Sequence, residues 1–375
     1  MIIVNLKKKI HFLTLNVFSK TGGIEKVCSI IGKVLNDTLS EMGNDVKIYS
    51  LHDEKNDAIG NEYFPIDNFS CYNGNKIRFV ISVIKESKNI DTLILSHVNL
   101  LFIGWTIKLF NPKINIILLA HGIEVWERLN YFKRKILGSL NTILCVSTFT
   151  SNKIIESNNI KASKVVILNN CLNPFINNII DEGHIKSLQH KYQIGELDKI
   201  IITVCRVSLK DRSKGYHKVI QSLIKVKKVY PSVKYFIIGT YENAERDSIL
   251  HLAESIGLKE NVHVVGFVEQ NLIASYYSIA DVFIMPSIKE GFGNVFIESM
   301  YYNVPVIGGN LDGSVDALYN GKLGTLVNPN NSLEIADAIL DILNNTEDKK
   351  PNQHLLQETF SYNQYKNQLV NIICQ

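Results

Sequence analysis

The chain has 375 residues, more than one ordinary hydrophobic core accommodates, so two domains are expected. Hydrophobic residues make up 46% and charged residues 20%, which excludes a disordered or low-complexity chain. The net charge of +4 hides an asymmetry: residues 1–170 carry 21 Lys and Arg against 14 Asp and Glu, while residues 171–375 carry 19 against 22.

From the N-terminus, Lys7-Lys8-Lys9 and the apolar residues after them faintly mimic a signal peptide. No small-residue cleavage site follows, and Thr21-Gly22-Gly23 comes directly. The segment reads instead as a first strand near 10–17 and a glycine turn. A helix over Ile24 to Met42 comes next, ended by Gly43. Further strands are predicted near 45–50, 92–96, 114–120, 142–146 and 164–168. The apolar run Leu93 to Phe110 contains His97, Asn99 and Lys108, which argues against a membrane span. Asn173 to Asp198 is polar, with Pro174 near its start, and reads as the link between domains. The pattern then restarts, with strands near 199–206, 233–239, 262–265, 282–285, 304–307 and 324–327. Helices are predicted over 214–229, 243–256, 270–279, 294–302 and 332–344.

Short apolar runs alternating with longer amphipathic ones predict an α/β chain of two tandem Rossmann-like, doubly wound parallel sheets facing across a cleft. The expected divisions are 1–175, 195–355, and a last helix over 356–375 returning to the first domain. Ligands of such folds gather at the C-terminal ends of strands. No GxGxxG fingerprint follows a predicted strand, which weighs against NAD or FAD. The six cysteines form no CxxC pair and read as free thiols of a reduced, cytoplasmic protein.

The segment Pro286 to Glu298 is the most informative. The apolar run Val282 to Met285 leads into a glycine-rich turn holding Glu290, and Glu298 is expected in the first turn of the following helix. Gly291, Phe292, Gly293 and Asn294 lie between the two acids. Backbone N–H groups and a helix N-terminus suit phosphate. Carboxylates would repel phosphate but accept hydrogen bonds from the hydroxyls of a sugar or a ribose. Together they point to a nucleotide sugar. Glu298 alone is weak evidence, because the helix dipole by itself favours an acid in a first turn.

Arg206 and Lys214 are cations beside a strand end, suited to a diphosphate. The density of charge over Lys210 to Lys214 leaves the working lysine open. Gly22-Gly23 is a tight turn or a loop closing over phosphate. His121, at a strand exit before Gly122, is a structural histidine or a cleft residue, with Glu124 and Trp126 nearby to shape a pocket. No Asp-x-Asp pair offers a seat for a divalent metal, so metal-independent chemistry is expected, with no cofactor.

These residues resemble the retaining glycosyltransferases of family 4, which have the two-Rossmann-domain B fold. The resemblance runs through Thr21-Gly22-Gly23-Ile24-Glu25, Ala120-His121-Gly122, Val146-Ser147, Asn169-Asn170, Arg206 with Lys214-Gly215, and Gly266-Phe267-Val268. It continues through the Glu290 to Glu298 motif, Val304-Pro305-Val306-Ile307 and the turn ending at Asp316. It implies that Glu290 contacts the sugar hydroxyls and Glu298 the ribose. Arg206 and Lys214 would clamp the diphosphate, and the backbone of Gly291 to Asn294 would hold the sugar. Gly23 would contact phosphate, with Gly22 beside it. Gly266 and Val268 would join the donor site, and His121 would sit by the sugar ring. Cys205, Asn303, Thr240 and Asp316 depart from the family's usual residues.

The implied reaction transfers a hexosyl group from a nucleoside-diphosphate sugar, UDP-hexose slightly preferred, to a hydroxyl of a glycan or lipid-linked acceptor in surface polysaccharide or glycolipid assembly. A nucleotide-sugar epimerase and an inactive sugar-nucleotide-binding protein are the alternatives. The basic first half suits an anionic membrane surface, which would place the protein at the inner membrane face. A plain solvated surface is the competing reading. Tyr131 to Lys135 is a candidate contact stretch. Nucleic acid is not an expected partner.

Overall fold

The computed structural model describes residues 7–176 and 179–374. The terminal positions 1–6 and 375, which the expected domain bounds include, lie outside them. The described residues divide into two compact units, 7–174 with 362–374, and 175–361 apart from 177 and 178.

The first unit holds a sheet of seven parallel strands. They are β1 (Lys9–Thr14), β2 (Asp45–Ser50), β3 (Phe69–Cys71), β4 (Thr92–Leu95), β5 (Asn115–Ala120), β6 (Thr142–Cys145) and β7 (Val165–Ile167), in the order β3-β2-β1-β4-β5-β6-β7. Strands β4, β5 and β6 are almost wholly apolar because both of their faces are covered. Helices α1 (Gly23–Val34), α2 (Lys76–Glu86), α3 (Leu101–Phe110), α4 (Ile123–Trp126), α5 (Tyr131–Ser139) and α6 (Thr148–Asn158) connect them.

On one face Phe79 and Val83 of α2, Leu101 and Ile107 of α3, and Ile136 of α5 join a core with Leu13, Leu95 and Leu118. On the other, α1 packs with Ile10, Phe12 and Ile117. The chain's last helix lies on that same side. Its Tyr365, Leu369 and Ile373, four residues apart, fall on one helical stripe and are buried there. The predicted first helix is shorter than expected: α1 passes at Leu35–Ser40 into a π-helical turn that keeps both Leu35 and Leu39 fully buried. Strand β3 has only three residues, one of them buried, and no alternation long enough to register in the sequence.

The second unit opens with α7 (Glu182–Lys191), inside the stretch read as a link. Its six strands are β8 (Ile200–Val204), β9 (Lys234–Ile238), β10 (Val262–Gly266), β11 (Val282–Met285), β12 (Val306–Gly309) and β13 (Thr325–Val327). All pair in parallel, in the order β10-β9-β8-β11-β12-β13. Around them run α8 (Tyr216–Val229), α9 (Asn243–Ser255), α10 (Ile273–Ser278), α11 (Asn294–Tyr301), α12 (Ser314–Ala317), α13 (Ser332–Asn344) and α14 (Gln353–Phe360). The last helix, in the first unit, is α15 (Tyr362–Cys374). Chain order reverses between β8 and β11, the switch point at whose strand C-termini ligands of such sheets gather. Among the described residues no helix is long and apolar enough to cross a membrane.

Candidate active site

Three loops meet at that switch point, leaving β8, β11 and β12. Backbone approach ties them together. The N–H of Ile288 donates to the Ser213 carbonyl at 2.9 Å, joining the β11 loop to the β8 loop. Gly215 has φ +86, and a Cβ there would lie 2.2 Å from the Pro286 carbonyl oxygen. Gly313 is as constrained by space alone, because its Cβ would come within 2.0 Å of the Gly291 oxygen.

Within this frame the Lys214 ammonium pairs with the Glu290 carboxylate. Burial by itself would lower the lysine's pKa, but the charge and hydrogen bond of Glu290 outweigh it and raise the pKa. The structure also separates Lys214 from its charged neighbours. Arg212 turns away and forks onto Glu245, with Nη2 to Oε2 at 2.8 Å, while Lys210 stands exposed. Arg206 follows the end of β8, largely exposed, with its Nε 2.8 Å from Asp211 Oδ2. Burial raises the Cys205 thiol, next to Arg206 in the chain, to about 12.

The Glu290 turn runs into α11. Gly293, with φ +91, is the N-cap and has no side chain to accept from the first helical turn. The helix N-terminus therefore keeps its partial positive charge facing this loop. Phe292 is buried edge-on against Phe360, with ring centroids 5.5 Å apart, and anchors the turn.

Glu298 differs from expectation. Helix α11 begins at Asn294, so Glu298 is its fifth residue, beyond the first turn, and dipole preference does not explain it. It is only 8% exposed, and its charge helps raise the pKa of the fully buried Tyr277, after the larger effect of burial. Gly266 ends β10 with φ +93, and Val268 follows in the next loop, half-buried.

In the first unit Gly22 is the N-cap of α1, extended at φ −146, and Gly23 is its first residue. Nothing lies within 4 Å of a Cβ built on Gly23. The preceding loop is held by Asp53, fully buried, whose carboxylate accepts from the N–H groups of Val17 at 2.7 Å, Phe18 at 3.0 Å and Ser19 at 2.6 Å. His121 follows β5 with its Nε2 2.9 Å from the Ser96 carbonyl oxygen. A carbonyl only accepts, so Nε2 carries the proton. Burial holds the imidazole pKa down, against the opposing charge of Glu124, whose Oε1 accepts from the His121 N–H at 2.6 Å.

Sequence reading missed Asp53 and Asp312. Asp312 is 1% exposed. Its Oδ2 accepts from Ser287 Oγ and from the Glu290 N–H, each at 2.7 Å, and its Oδ1 from the Ser314 N–H at 3.0 Å. An acid just past an apolar strand was the available signal in both. Each sits beside glycines or polar residues that made it look like ordinary loop. Among the described residues no group of three His, Cys, Asp or Glu side chains is placed to hold a metal ion.

Residues 185–362 match the family model described as glycosyl transferases group 1. The capsular polysaccharide biosynthesis glycosyltransferase CapM of Staphylococcus aureus is 30% identical over 230 residues, covering 59% of this chain and 55% of that protein. The chain thus spans about half the length of this relative. An uncharacterized glycosyltransferase of Haemophilus influenzae is 25% identical over 91% of this chain and 92% of its own length. Among solved structures, Anabaena Alr3699/HepE in complex with UDP and glucose superimposes with a TM-score of 0.78 at 17% identity. That superposition covers 98% of this chain and 99% of that one, and it shows a shared fold, the two-Rossmann-domain glycosyltransferase fold.

Proposed function

From a chain whose residues 185–362 belong to the glycosyl transferases group 1 family, we infer that the protein moves a hexosyl group from a nucleoside-diphosphate sugar to a hydroxyl acceptor with retention of configuration. The pairing of Lys214 with Glu290 at the sheet's switch point carries this reading. It supplies one cation and one hydroxyl acceptor at the mouth of an uncapped helix, which is the pair of functions a sugar diphosphate needs.

In this proposal Lys214, Arg206 and the N-terminus of α11 take up the negative charge that grows on the leaving diphosphate. Such fixed charges act without reorganising as the bond breaks, and losing one costs about 3 kcal/mol of barrier. Glu290 accepts from the hydroxyls of the transferred sugar, and Glu298 from the ribose. The acceptor hydroxyl attacks from the face that the diphosphate leaves, and a diphosphate oxygen takes its proton. No enzymic nucleophile enters. His121, neutral and protonated on Nε2, serves as a hydrogen-bonding group rather than a charge.

A UDP-hexose donor is favoured by the UDP and glucose bound to the structural neighbour. A glycan or lipid-linked acceptor in surface polysaccharide assembly is favoured by the name of the Staphylococcus relative. The test is a thermal-shift screen of UDP-, GDP- and ADP-hexoses, since a bound donor raises the melting temperature. NMR of the products with and without acceptor follows. Transfer with the donor's anomeric configuration kept supports the reading. Acceptor-independent sugar interconversion, or inverted product, overturns it.

A further inference from the structure

The first unit carries an outward face that its own core does not explain. Helix α2 packs beside α3 and α3 beside α5, and all three bury residues in the same core on one side of the sheet. Their outer sides therefore form one continuous layer. A solvated helix should turn polar residues outward. Here Ile77 and Ile81, one turn apart on α2, are 74% and 61% exposed. On α3, Phe102, Trp105 and Leu109 fall on a single exposed stripe, with the first two rings 5.4 Å apart. Tyr131 and Phe132 open α5, also exposed.

The charge on the same helices is one-sided. Spans α2, α3 and α5 contain seven Lys and Arg and a single acid, Glu86. Glu86 is already engaged by Lys47 at 3.0 Å and by the Tyr49 hydroxyl at 2.9 Å. Exposed apolar side chains on the same helices as the exposed Lys76, Arg78, Lys85 and Lys135 match an anionic bilayer, where the apolar tips enter the headgroup layer and the cations meet lipid phosphate. A second copy of the chain matches poorly, because a two-fold contact through this layer would set cation against cation.

We propose that the α2–α3–α5 layer docks the protein onto an anionic lipid surface. This rests on the first unit alone and stands whether or not the donor chemistry above is right. The experiment is flotation of the full chain with phosphatidylcholine vesicles, with and without phosphatidylglycerol, across a salt series. Quenching of Trp105 by brominated lipid is read alongside, using Trp105→Phe to separate it from Trp126. Binding should require phosphatidylglycerol, weaken with salt, and quench Trp105. The double variant Lys76→Gln/Lys135→Gln should partition about 25-fold less, at about fivefold per charge. Phe102→Ser/Trp105→Ser should lose binding with unchanged circular dichroism. Three results overturn the proposal: no flotation at low salt, flotation indifferent to all four substitutions, or ultracentrifugation showing a dimer whose formation shields Trp105.

Discussion

The carboxylate of Asp312 accepts a hydrogen bond from the backbone N–H of Glu290 at 2.7 Å, across loops that leave the adjacent strands β12 and β11. The return bond runs from the Gly313 N–H to the Glu290 carbonyl at 2.9 Å. Glu290 is thus clamped through its backbone by one loop while its side chain meets Lys214 on another. The position of the proposed sugar-binding acid is set by two partners that lie far from it in the chain.

Asp312 gives a pH dependence with a definite sign. Burial raises its pKa from 3.8 to about 6 in the fold, although three hydrogen bonds favour its charged form. Between those values the folded state holds a proton that the unfolded chain has lost, so stability falls as pH rises through that window. At about 1.4 kcal/mol per pH unit the full loss is about 3 kcal/mol by neutral pH. Melting temperatures of wild type and Asp312→Asn, compared from pH 4 to 7, should converge or cross as the aspartate ionises. Parallel curves would show that Asp312 does not titrate there.

Arg206→Ala separates chemistry from folding. The guanidinium is largely exposed and pairs with Asp211 near the surface, an arrangement worth at most about 1 kcal/mol. Turnover should drop about a hundredfold or more while the melting temperature barely moves. Near-normal turnover would remove Arg206 from the diphosphate clamp.

Arg212→Ala should do the reverse. It strips the partner from Glu245, which is fully buried and accepts also from the Tyr216 hydroxyl at 3.0 Å. A buried carboxylate without its cation destabilises the fold. The melting temperature should fall and donor affinity, measured below it, should hold. A selective loss of donor affinity would place Arg212 in the site instead.

Gly313→Ala probes the clamp by space alone. Its φ is ordinary, but the added methyl would reach 2.0 Å from the Gly291 oxygen, so the two loops must part. Overpacking of this kind costs about 1–3 kcal/mol. The expected result is a lower melting temperature together with weaker donor binding, read by thermal shift. Donor binding as tight as wild type would show that the spacing of these loops does not matter to the site.

One stretch of the candidate site could be read from the residues because it is contiguous in the chain. Glu290, Gly293 and Glu298 fall in one contiguous strand–turn–helix stretch, so their residue types and spacing can be read without knowing the distant partners that position them. The alternation of apolar runs likewise exposed the two parallel sheets. Lys214 could not be told from Lys210 because the choice depends on Arg212 reaching Glu245, over thirty positions away. Asp312 was passed over because its partners are two backbone N–H groups, which carry no sequence signature, and the Ser287 hydroxyl, 25 positions away. The start of α11 was legible, and counting from Asn294 makes Glu298 the fifth helical residue, so its reading as a first-turn acid was a miscount rather than a missed boundary. The outer faces of α2 and α3 escaped notice because their exposed apolar residues look, in one dimension, like core.

The most direct test of the central claim is calorimetric titration of nucleoside-diphosphate hexoses into wild type and Lys214→Ala. At least one such donor should bind wild type, and its binding should be weakened a hundredfold or more, about 3 kcal/mol, by loss of the ammonium paired with Glu290. Equal affinity in the two proteins, or no binding of any sugar nucleotide to wild type, would contradict it.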